Sequence, residues 1–453
     1  MADVSPTDKN FPSANPSGVS FRQWLKIGAI IVLCCIPFFR SYDSRDVPLG
    51  EDEIYWVGQT YYFHLAFEQR DWSHPDWQLL PSRENPVLGK YVIGAGLWLN
   101  GLHVTTPDWL GVFYVIAKDR PNAWGTGRDR QERQAVLDRM QPEVRELVVN
   151  QDRFEYPVAM APAARAVMLV FGALAVVAVF ILASLYINVV AAFVAALLFA
   201  LHPAVVAAYT EVGVDILAIA FSLVAVVHFA IIERGVWRGS ARPGLYRALI
   251  TLGGALSLAF AVGSKMNAVV VGFLGLAMCL CFAVAFLRRK SAAAKDSLAT
   301  MLVTLVIAGV VFVGSSPLNY PNPVRGVWRL YADQQRSLEV QKTIPAKKHP
   351  LTTVGERLQA MSDMTALHPA LFALVIAAFF LSIVAACRTA SSSMIALWWL
   401  LAFLIVTPWL PFARPRYALP VIAPSIILIC GAGDRLVKRA LRKNSTTASP
   451  IRD

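Results

Sequence analysis

Three acidic residues, Glu51, Asp52 and Glu53, follow the first apolar segment of this chain, and the run Asn85-Pro-Val-Leu-Gly-Lys90 comes later in the same polar stretch. A carboxylate can take the proton from a hydroxyl group as that hydroxyl attacks the anomeric carbon of a sugar. A phosphate leaving group departs without protonation when cations meet its growing charge. These residue types therefore suit the transfer of a sugar from a phosphate-linked carrier.

One carboxylate is enough for a single displacement with inversion, whereas a glycoside hydrolase uses a pair. We predict that Asp52 is the base, with Glu53 as the second choice. Glu51, Asp46 and Asp43 are close enough in the sequence to compete for this role. The alternative interpretation is an acidic loop that is merely solvated.

Two stretches carry basic residues that suit phosphate binding. Lys90 follows a proline turn and can face a phosphate at the membrane surface; alternatively, its ammonium group simply reaches the surface from an interfacial helix. Arg414 and Arg416 lie in a short turn between two apolar segments, followed by Tyr417. The guanidinium group offers a planar fork of donors to phosphate, although an ordinary positively charged turn has the same composition.

Four charged residues lie near or within apolar segments: Arg165, Glu211, Asp215 and Lys265. Charges in such places are costly and are usually paired or functional. Glu211 and Asp215 are one helical turn apart, so both can face Lys265. A structural ion pair and a role in substrate binding are equally open for them, and Arg165 either joins the same layer or marks the end of a span.

The composition indicates an integral membrane protein. Of the 453 residues, 56% are apolar and only 16% are charged, whereas a soluble protein carries about a quarter charged residues. The net charge of +12 does not predict nucleic-acid binding, because the basic residues cluster in short loops and at the C-terminus, as orientation signals do. The six cysteines lie in or beside apolar segments and predict no disulfide framework or zinc site.

Sequence motifs for nucleotide phosphates and for metal-dependent hydrolysis are absent, and the seven histidines, including His202 and His368 (each followed by proline), have no ligand spacing. We therefore expect no cofactor and no required metal. A divalent ion bound near the acidic run is the alternative.

The apolar segments predict an all-α polytopic membrane protein with about ten transmembrane helices. A polar tail (1–21) precedes one transmembrane domain (22–433), and a basic tail (434–453) follows it. The first segment has no small-residue cleavage site, which predicts an uncleaved helix. The predicted spans are 22–40, 163–185, 188–209, 212–232, 248–264, 266–287, 298–315, 369–387, 394–413 and 417–433.

The basic loops set the predicted orientation, with both termini in the cytoplasm and the long loops 41–162 and 316–367 outside. Within the first loop, residues 54–66 and 87–102 have apolar positions at helical spacing, which favours helices lying in the interface. The polar stretch 118–153 is expected to be the mobile or inserted part of that loop. No endoplasmic-reticulum signal is present, which favours a bacterial plasma membrane.

The order of these features resembles the GT-C class of membrane glycosyltransferases, and within it the superfamily of protein O-mannosyltransferases and lipid A aminoarabinose transferases. The resemblance is carried by Asp52-Glu53, Asn85-Pro86-Val87-Leu88-Gly89-Lys90, Ala164-Arg165-Ala166, Gly263-Ser264-Lys265 and Arg416-Tyr417-Ala418-Leu419-Pro420. It implies a polyprenyl-phosphate monosaccharide donor, inversion, the aspartate of the acidic pair as base, and a cavity on the non-cytoplasmic side.

Three positions depart from the family pattern: Asn85 replaces a histidine, Val87 replaces a proline, and Glu211 stands where relatives carry an arginine. The expected partners are the lipid-linked donor, membrane lipid and an acceptor that is a protein, a lipid or a glycan. Two other interpretations remain: a transporter or flippase of a lipid-linked or anionic solute, and a non-catalytic assembly subunit.

Overall fold

A computed structural model describes residues 21–41, 47, 49–79, 82–83, 85–106, 131, 134, 138, 142, 159–238, 244–342, 350–366, 368–389 and 393–447. The base candidates Asp43 and Asp46, nearly all of the polar N-terminal tail, and the stretch 118–153 apart from four isolated positions lie outside these residues.

Helices make up the regular structure of the described residues, and no strand is assigned there, so the predicted all-α class is confirmed. The longer helices, numbered in chain order, are α1 (Phe21–Arg40), α2 (Glu51–Gly58), α3 (Leu88–Leu99), α4 (Met160–Tyr186), α5 (Val189–Leu201), α6 (Pro203–Thr210), α7 (Asp215–Arg238), α8 (Gly244–Ser264), α9 (Val269–Arg289), α10 (Ala292–Gly314), α11 (Pro323–Lys342), α12 (Val354–Ala366), α13 (Pro369–Thr389), α14 (Ser393–Val406) and α15 (Leu419–Thr447).

The chain is a multi-pass membrane protein. Among the described residues, seven helices are long and apolar enough to cross a bilayer, or nine when two bent pairs each count as one span. The pair α5–α6 bends by 62° and the pair α12–α13 by 89°. Every one of the ten predicted spans contains a helix, but the predicted number itself is not confirmed.

Two of the sequence-based boundaries differ from the structure. The predicted span 394–413 is helical only as far as Val406, because Pro408 and Pro411 cannot continue a helix. The predicted outer loop 316–367 contains α11 and α12. Neither is apolar enough to be read as a span from its sequence alone.

Helix α7 is the central element of the bundle, with 78% of its apolar window buried. It packs against α4 and α8, while α15 packs against α5, α13 and α14. Helix α1 lies at the periphery, with 11% of its window buried. The start of α7, which carries Asp215, is therefore surrounded by other elements.

The first loop folds against one end of this bundle. Helices occur in both regions where the sequence predicted them: α2 (Glu51–Gly58), a short helix Tyr61–Phe63 and a π-helical turn His64–Glu68 in the first region, and α3 in the second. Their depth in a membrane stays a prediction. Gly89 of α3 packs so closely on Val214, just before α7, and on Ser264 at the end of α8 that a Cβ there would lie 2.7 Å from Val214 and 3.3 Å from Ser264. Helix α3 is thereby fixed to the end of the bundle that carries Asp215.

Candidate active site

Nine of the predicted site residues meet where three breaks in the helices reach the same end of the bundle. The breaks are the connection 211–214 between α6 and α7, Lys265 between α8 and α9, and the segment 407–418 between α14 and α15. Helix α2 begins beside them. The residues brought together are Asp52, Glu53, Arg165, Glu211, Asp215, Lys265, Arg414, Arg416 and Tyr417.

Glu53 and Arg165 form a buried, two-point ion pair. Arg165 donates to both carboxylate oxygens, from Nε at 3.0 Å and from Nη2 at 2.7 Å. The backbone N–H groups of Gly50 and Val212 donate to the same carboxylate at 2.8 and 2.9 Å. Because four donors occupy Glu53, its carboxylate joins α2 to α4 and to the 211–214 connection. Such a fully engaged group is poorly placed to accept a proton from a substrate.

We expect Glu53→Gln to lower the stability of the fold. Arg165 would keep its charge in a site where both side chains are less than 10% exposed, and removing one partner of a buried ion pair costs about 3–5 kcal/mol. Thermal unfolding of the purified protein in detergent measures the effect. Asp296→Asn is the matched control, because Asp296 forms an exposed ion pair with Arg247 at 3.8 Å, worth about 0–1 kcal/mol. A fully stable Glu53→Gln variant without activity would instead favour Glu53 as the base.

Asp215 and Lys265 form the second ion pair. The Nζ of Lys265 is bonded to Oδ1 of Asp215, and each side chain is 11% exposed. Lys265 Nζ also lies 5.7 Å from the centre of the Tyr417 ring. Burial lowers the pKa of Lys265 and the charge of Asp215 opposes that shift. The ion pair that was one of two sequence-based interpretations is present, and it positions the loop that carries Tyr417.

Glu211 is the carboxylate of this cluster that has no paired cation in the contacts of the described residues. It is exposed and ends α6. Loss of hydration raises the pKa of Glu211, and the charges of Glu53, Asp52 and Asp215 raise it further, while Arg416 opposes them. Glu211 therefore lies close enough to Asp52, Glu53 and Arg416 for their charges to affect its pKa.

Asp52 and Arg416 face each other across the most open part of the cluster. Nη1 of Arg416 lies 3.4 Å from Oδ2 of Asp52, and the two side chains are 32% and 75% exposed. An exposed contact of that length contributes about 0–1 kcal/mol. Both groups are therefore available to a substrate at little energetic cost.

The arginine segment presents donors that the protein does not use. Within the described residues, the Nε atoms of Arg414 and Arg416 are buried and have no hydrogen-bond partner. A buried charged donor left unpaired is unfavourable. An anionic group with several oxygens, such as a phosphate, would satisfy both atoms.

A cavity opens beside Arg416 and runs between α7, α9, α14 and α15. Asp215, Asn267 and Arg416 line one end of it, and Ser222, two turns along α7, lines it farther in, which corresponds to a length of about 10 Å. Trp398 lines it too, and its Nε1 is buried without a partner. The remaining lining is apolar: Ala218, Ile219, Ala268, Val270, Val271, Leu419 and Pro420. The cavity wall therefore combines a charged end with a mainly apolar lining.

Solved structures share this arrangement of helices. A structure of the oligosaccharyltransferase AglB from Archaeoglobus fulgidus, in complex with an inhibitory peptide and a dolichol-phosphate, aligns with a TM-score of 0.53 at 14% identity over 96% of this chain and 53% of that chain. An Archaeoglobus fulgidus oligosaccharyltransferase in the apo form aligns with a TM-score of 0.50 at 13% identity, over 94% of this chain and 52% of that chain.

The chain has the GT-C fold. It spans about half the length of the archaeal enzyme. ArnT from Cupriavidus metallidurans in the apo state aligns with a TM-score of 0.49 at 15% identity, over 92% of this chain and 62% of that chain, a likeness too weak to add to the fold assignment. The sequence itself matches no protein-family model and no curated protein.

Lys90 and Asn85 are buried inside this GT-C fold, whereas the sequence predicted Lys90 to lie at the membrane surface, facing a phosphate. The side chain of Lys90 is completely buried rather than at the membrane surface. Its Nζ donates to the carbonyl oxygen of Asn85 at 2.9 Å and lies 5.2 Å from the centre of the Tyr62 ring. In this structure, the lysine head is therefore held by contacts with residues of the first loop.

Three polar residues around the site were missed by sequence reasoning. Ser222, Asn267 and Trp398 line the cavity, but each stands in or beside an apolar segment where nothing distinguishes a cavity-facing position from a lipid-facing one. Among the described residues, no group of three or more His, Cys, Asp or Glu side chains is arranged to hold a metal ion.

Proposed function

We propose that this protein is a glycosyltransferase that moves a monosaccharide from a polyprenyl-phosphate donor to an acceptor, with inversion at the anomeric carbon and Asp52 as the base. One observation carries the proposal. An exposed carboxylate faces an arginine segment with unused donors, at the mouth of a mainly apolar cavity.

The cavity and the arginines together match the two ends of a lipid phosphate. Arg416 and Arg414 bind the phosphate through their guanidinium groups, and the apolar lining takes the first part of the lipid chain. The archaeal structure with the same fold contains a dolichol-phosphate, which supports a polyprenyl carrier. When the sugar–phosphate bond breaks, the arginines stabilise the negative charge that forms on the phosphate.

Asp52 then lies on the opposite side of the anomeric carbon from the leaving phosphate and takes the proton of the attacking hydroxyl. Glu211 is the second candidate for this step, because its raised pKa brings a carboxylate closer to the pH at which a general base is most effective. Asp215, Lys265 and Tyr417 hold the arginine segment in place. We place the site on the outer face of a bacterial inner membrane, with both termini in the cytoplasm.

A flippase or transporter is the second candidate, because two of the spans are bent pairs, α5–α6 and α12–α13, and discontinuous helices are common at transport sites. A single experiment separates the two functions. The protein is reconstituted in vesicles with a panel of radiolabelled polyprenyl-phosphate sugars and a membrane extract as acceptor. Label that moves to the acceptor supports the transferase, whereas unchanged donor that crosses the bilayer supports the flippase.

A further inference from the structure

The two bent helix pairs share a local design. His202 precedes Pro203 at the bend between α5 and α6, and His368 precedes Pro369 at the bend between α12 and α13. In each case the histidine Nδ1 accepts a hydrogen bond from the N–H group two residues later, at 3.2 Å from Ala204 and from Ala370. Both histidines therefore cap the helix that begins after the bend.

The two histidines differ in what the other ring nitrogen contacts. His202 is 7% exposed, and its Nε2 lies 3.3 Å from the carbonyl oxygen of Thr365, in the last turn of α12. Because Nδ1 accepts the Ala204 N–H, the ring proton of neutral His202 is on Nε2, which donates to Thr365. His368 is exposed. The bond from His202 thus joins the two bends to each other.

Both of the joined helices contact the segment that carries the arginines. Helix α6 and helix α12 each pack against Pro415–Ala418. Helix α12 also holds the preceding stretch: Arg357 Nη1 donates to the carbonyl oxygen of Pro408 at 2.6 Å, and the N–H of Leu351, just before α12, donates to that of Pro411 at 3.0 Å. The position of Arg416 therefore depends on how α6 and α12 sit relative to each other.

We propose that His202 is a positioning residue for the candidate site: by bonding α6 to α12 it fixes the place of the Arg414–Tyr417 segment that both helices contact. It touches no substrate itself. The role of the segment in phosphate binding rests on the proposed function, but the positioning effect does not.

The test compares His202→Asn with His368→Asn in the full-length protein in lipid nanodiscs. Asparagine before proline keeps an acceptor for the helix cap but is too short to reach the Thr365 carbonyl. The two variants therefore make the same change in the same His-Pro-Ala sequence, and only His202→Asn removes the bond between the helices.

Amide hydrogen exchange of α6 and of residues 415–418 is the first measurement, and it needs no substrate. We expect His202→Asn to speed exchange in both segments by about five- to tenfold, the factor that corresponds to one hydrogen bond of ordinary strength, and His368→Asn to leave both segments unchanged. Equal exchange in the two variants would overturn the proposal, as would faster exchange in α6 alone.

Binding of undecaprenyl phosphate is the second measurement. We expect His202→Asn to weaken it by about three- to tenfold relative to His368→Asn, in line with the loss of one hydrogen bond. His202→Gln, which keeps a neutral donor with longer reach, should recover part of the loss. If wild-type protein binds no undecaprenyl phosphate, the proposed function fails, while faster exchange in His202→Asn still supports the positioning role.

If the His202→Asn variant does not fold, slower exchange at 415–418 in His202→Gln than in His202→Ala supports the role and equal exchange refutes it.

Discussion

Replacing Asp52 by asparagine should reduce turnover by about 10²–10⁴-fold, the contribution of a positioned general base. Asparagine has the same shape and cannot take a proton from the attacking hydroxyl group. The fold should be unaffected, because the Asp52 side chain is 75% exposed and its contact with Arg416 is long. Transfer of label from a polyprenyl-phosphate sugar in reconstituted vesicles, with donor in excess, measures the turnover.

Donor binding should change in the opposite direction in the same variant. Asp52 repels the donor phosphate and competes for Arg416, so Asp52→Asn should bind undecaprenyl phosphate as well as wild type or up to about fivefold tighter, since an exposed contact is worth about 0–1 kcal/mol. Loss of turnover with unchanged or tighter binding identifies a base. Loss of both together would contradict the assignment.

Two further carboxylate variants complete this comparison. Asp71→Asn is the matched control, because Asp71 is a partly exposed aspartate of the same loop whose Oδ1 accepts from Ser73, and an asparagine oxygen can accept that bond. Its turnover should equal that of wild type. Glu211→Gln tests the rival base. If Glu211→Gln loses more turnover than Asp52→Asn, the proton acceptor is Glu211.

The sequence was most informative about charges that stand in apolar surroundings. Glu211, Asp215 and Lys265 were predicted to share one layer because a charge in a span is costly unless it is paired. The structure brings all three together with Arg165 and Arg416. The acidic pair after the first span was placed correctly beside them, since a helix start directly after a span must lie at the end of the bundle.

Which charges pair with each other was not predictable. Glu53 and Arg165 are 112 positions apart, and their pairing depends on how α2 lies against α4. Asp52 and Glu53 are neighbours in the sequence, but successive residues at a helix start point in different directions. Asp52 is exposed, whereas Glu53 is buried, with 7% of its surface accessible. The helical geometry thus separates an available carboxylate from a structural one.

The burial of Lys90, the contact of His202 with Thr365 and the place of Trp398 in the cavity wall escaped prediction for related reasons. A lysine at the start of an apolar helix has the same sequence pattern whether its head reaches water or a buried carbonyl oxygen. Likewise, a His-Pro pair predicts a bend but not the partner of the second ring nitrogen. Such contacts depend on residues far apart in the chain, as the bond from His202 to Thr365 does.

The pairing pattern is also compatible with the proposed binding of an anion at a site with four carboxylates. Glu53 and Asp215 are each neutralised by a buried cation, so neither repels a phosphate strongly. Asp52 and Glu211 remain as open negative charges, and Arg414 and Arg416 remain as cations with unused donors. A phosphate held by the two arginines would leave a sugar beside the two open carboxylates, which is where a base is needed.

Arg416 should make the largest single contribution to donor binding. We expect Arg416→Gln to weaken binding of undecaprenyl phosphate by about 10–150-fold, because a hydrogen bond to a charged group is worth about 1.5–3 kcal/mol and each 1.4 kcal/mol is about tenfold in affinity. The affinity of Arg416→Lys for undecaprenyl phosphate should fall between those of the wild type and Arg416→Gln, since lysine restores the charge but not the planar fork of donors. Equilibrium binding in nanodiscs measures each affinity.

The control for this series is Arg325→Gln. Arg325 is an exposed arginine near the start of α11, so its replacement makes the same change in net charge and should leave binding unchanged. Raising the salt concentration separates the two effects further: a general attraction between a basic surface and an anionic lipid is screened within about 8 Å at physiological ionic strength. A direct contact with Arg416 would persist. Equal losses in Arg325→Gln and Arg416→Gln would show that net charge, and not the Arg414–Tyr417 segment, binds the phosphate.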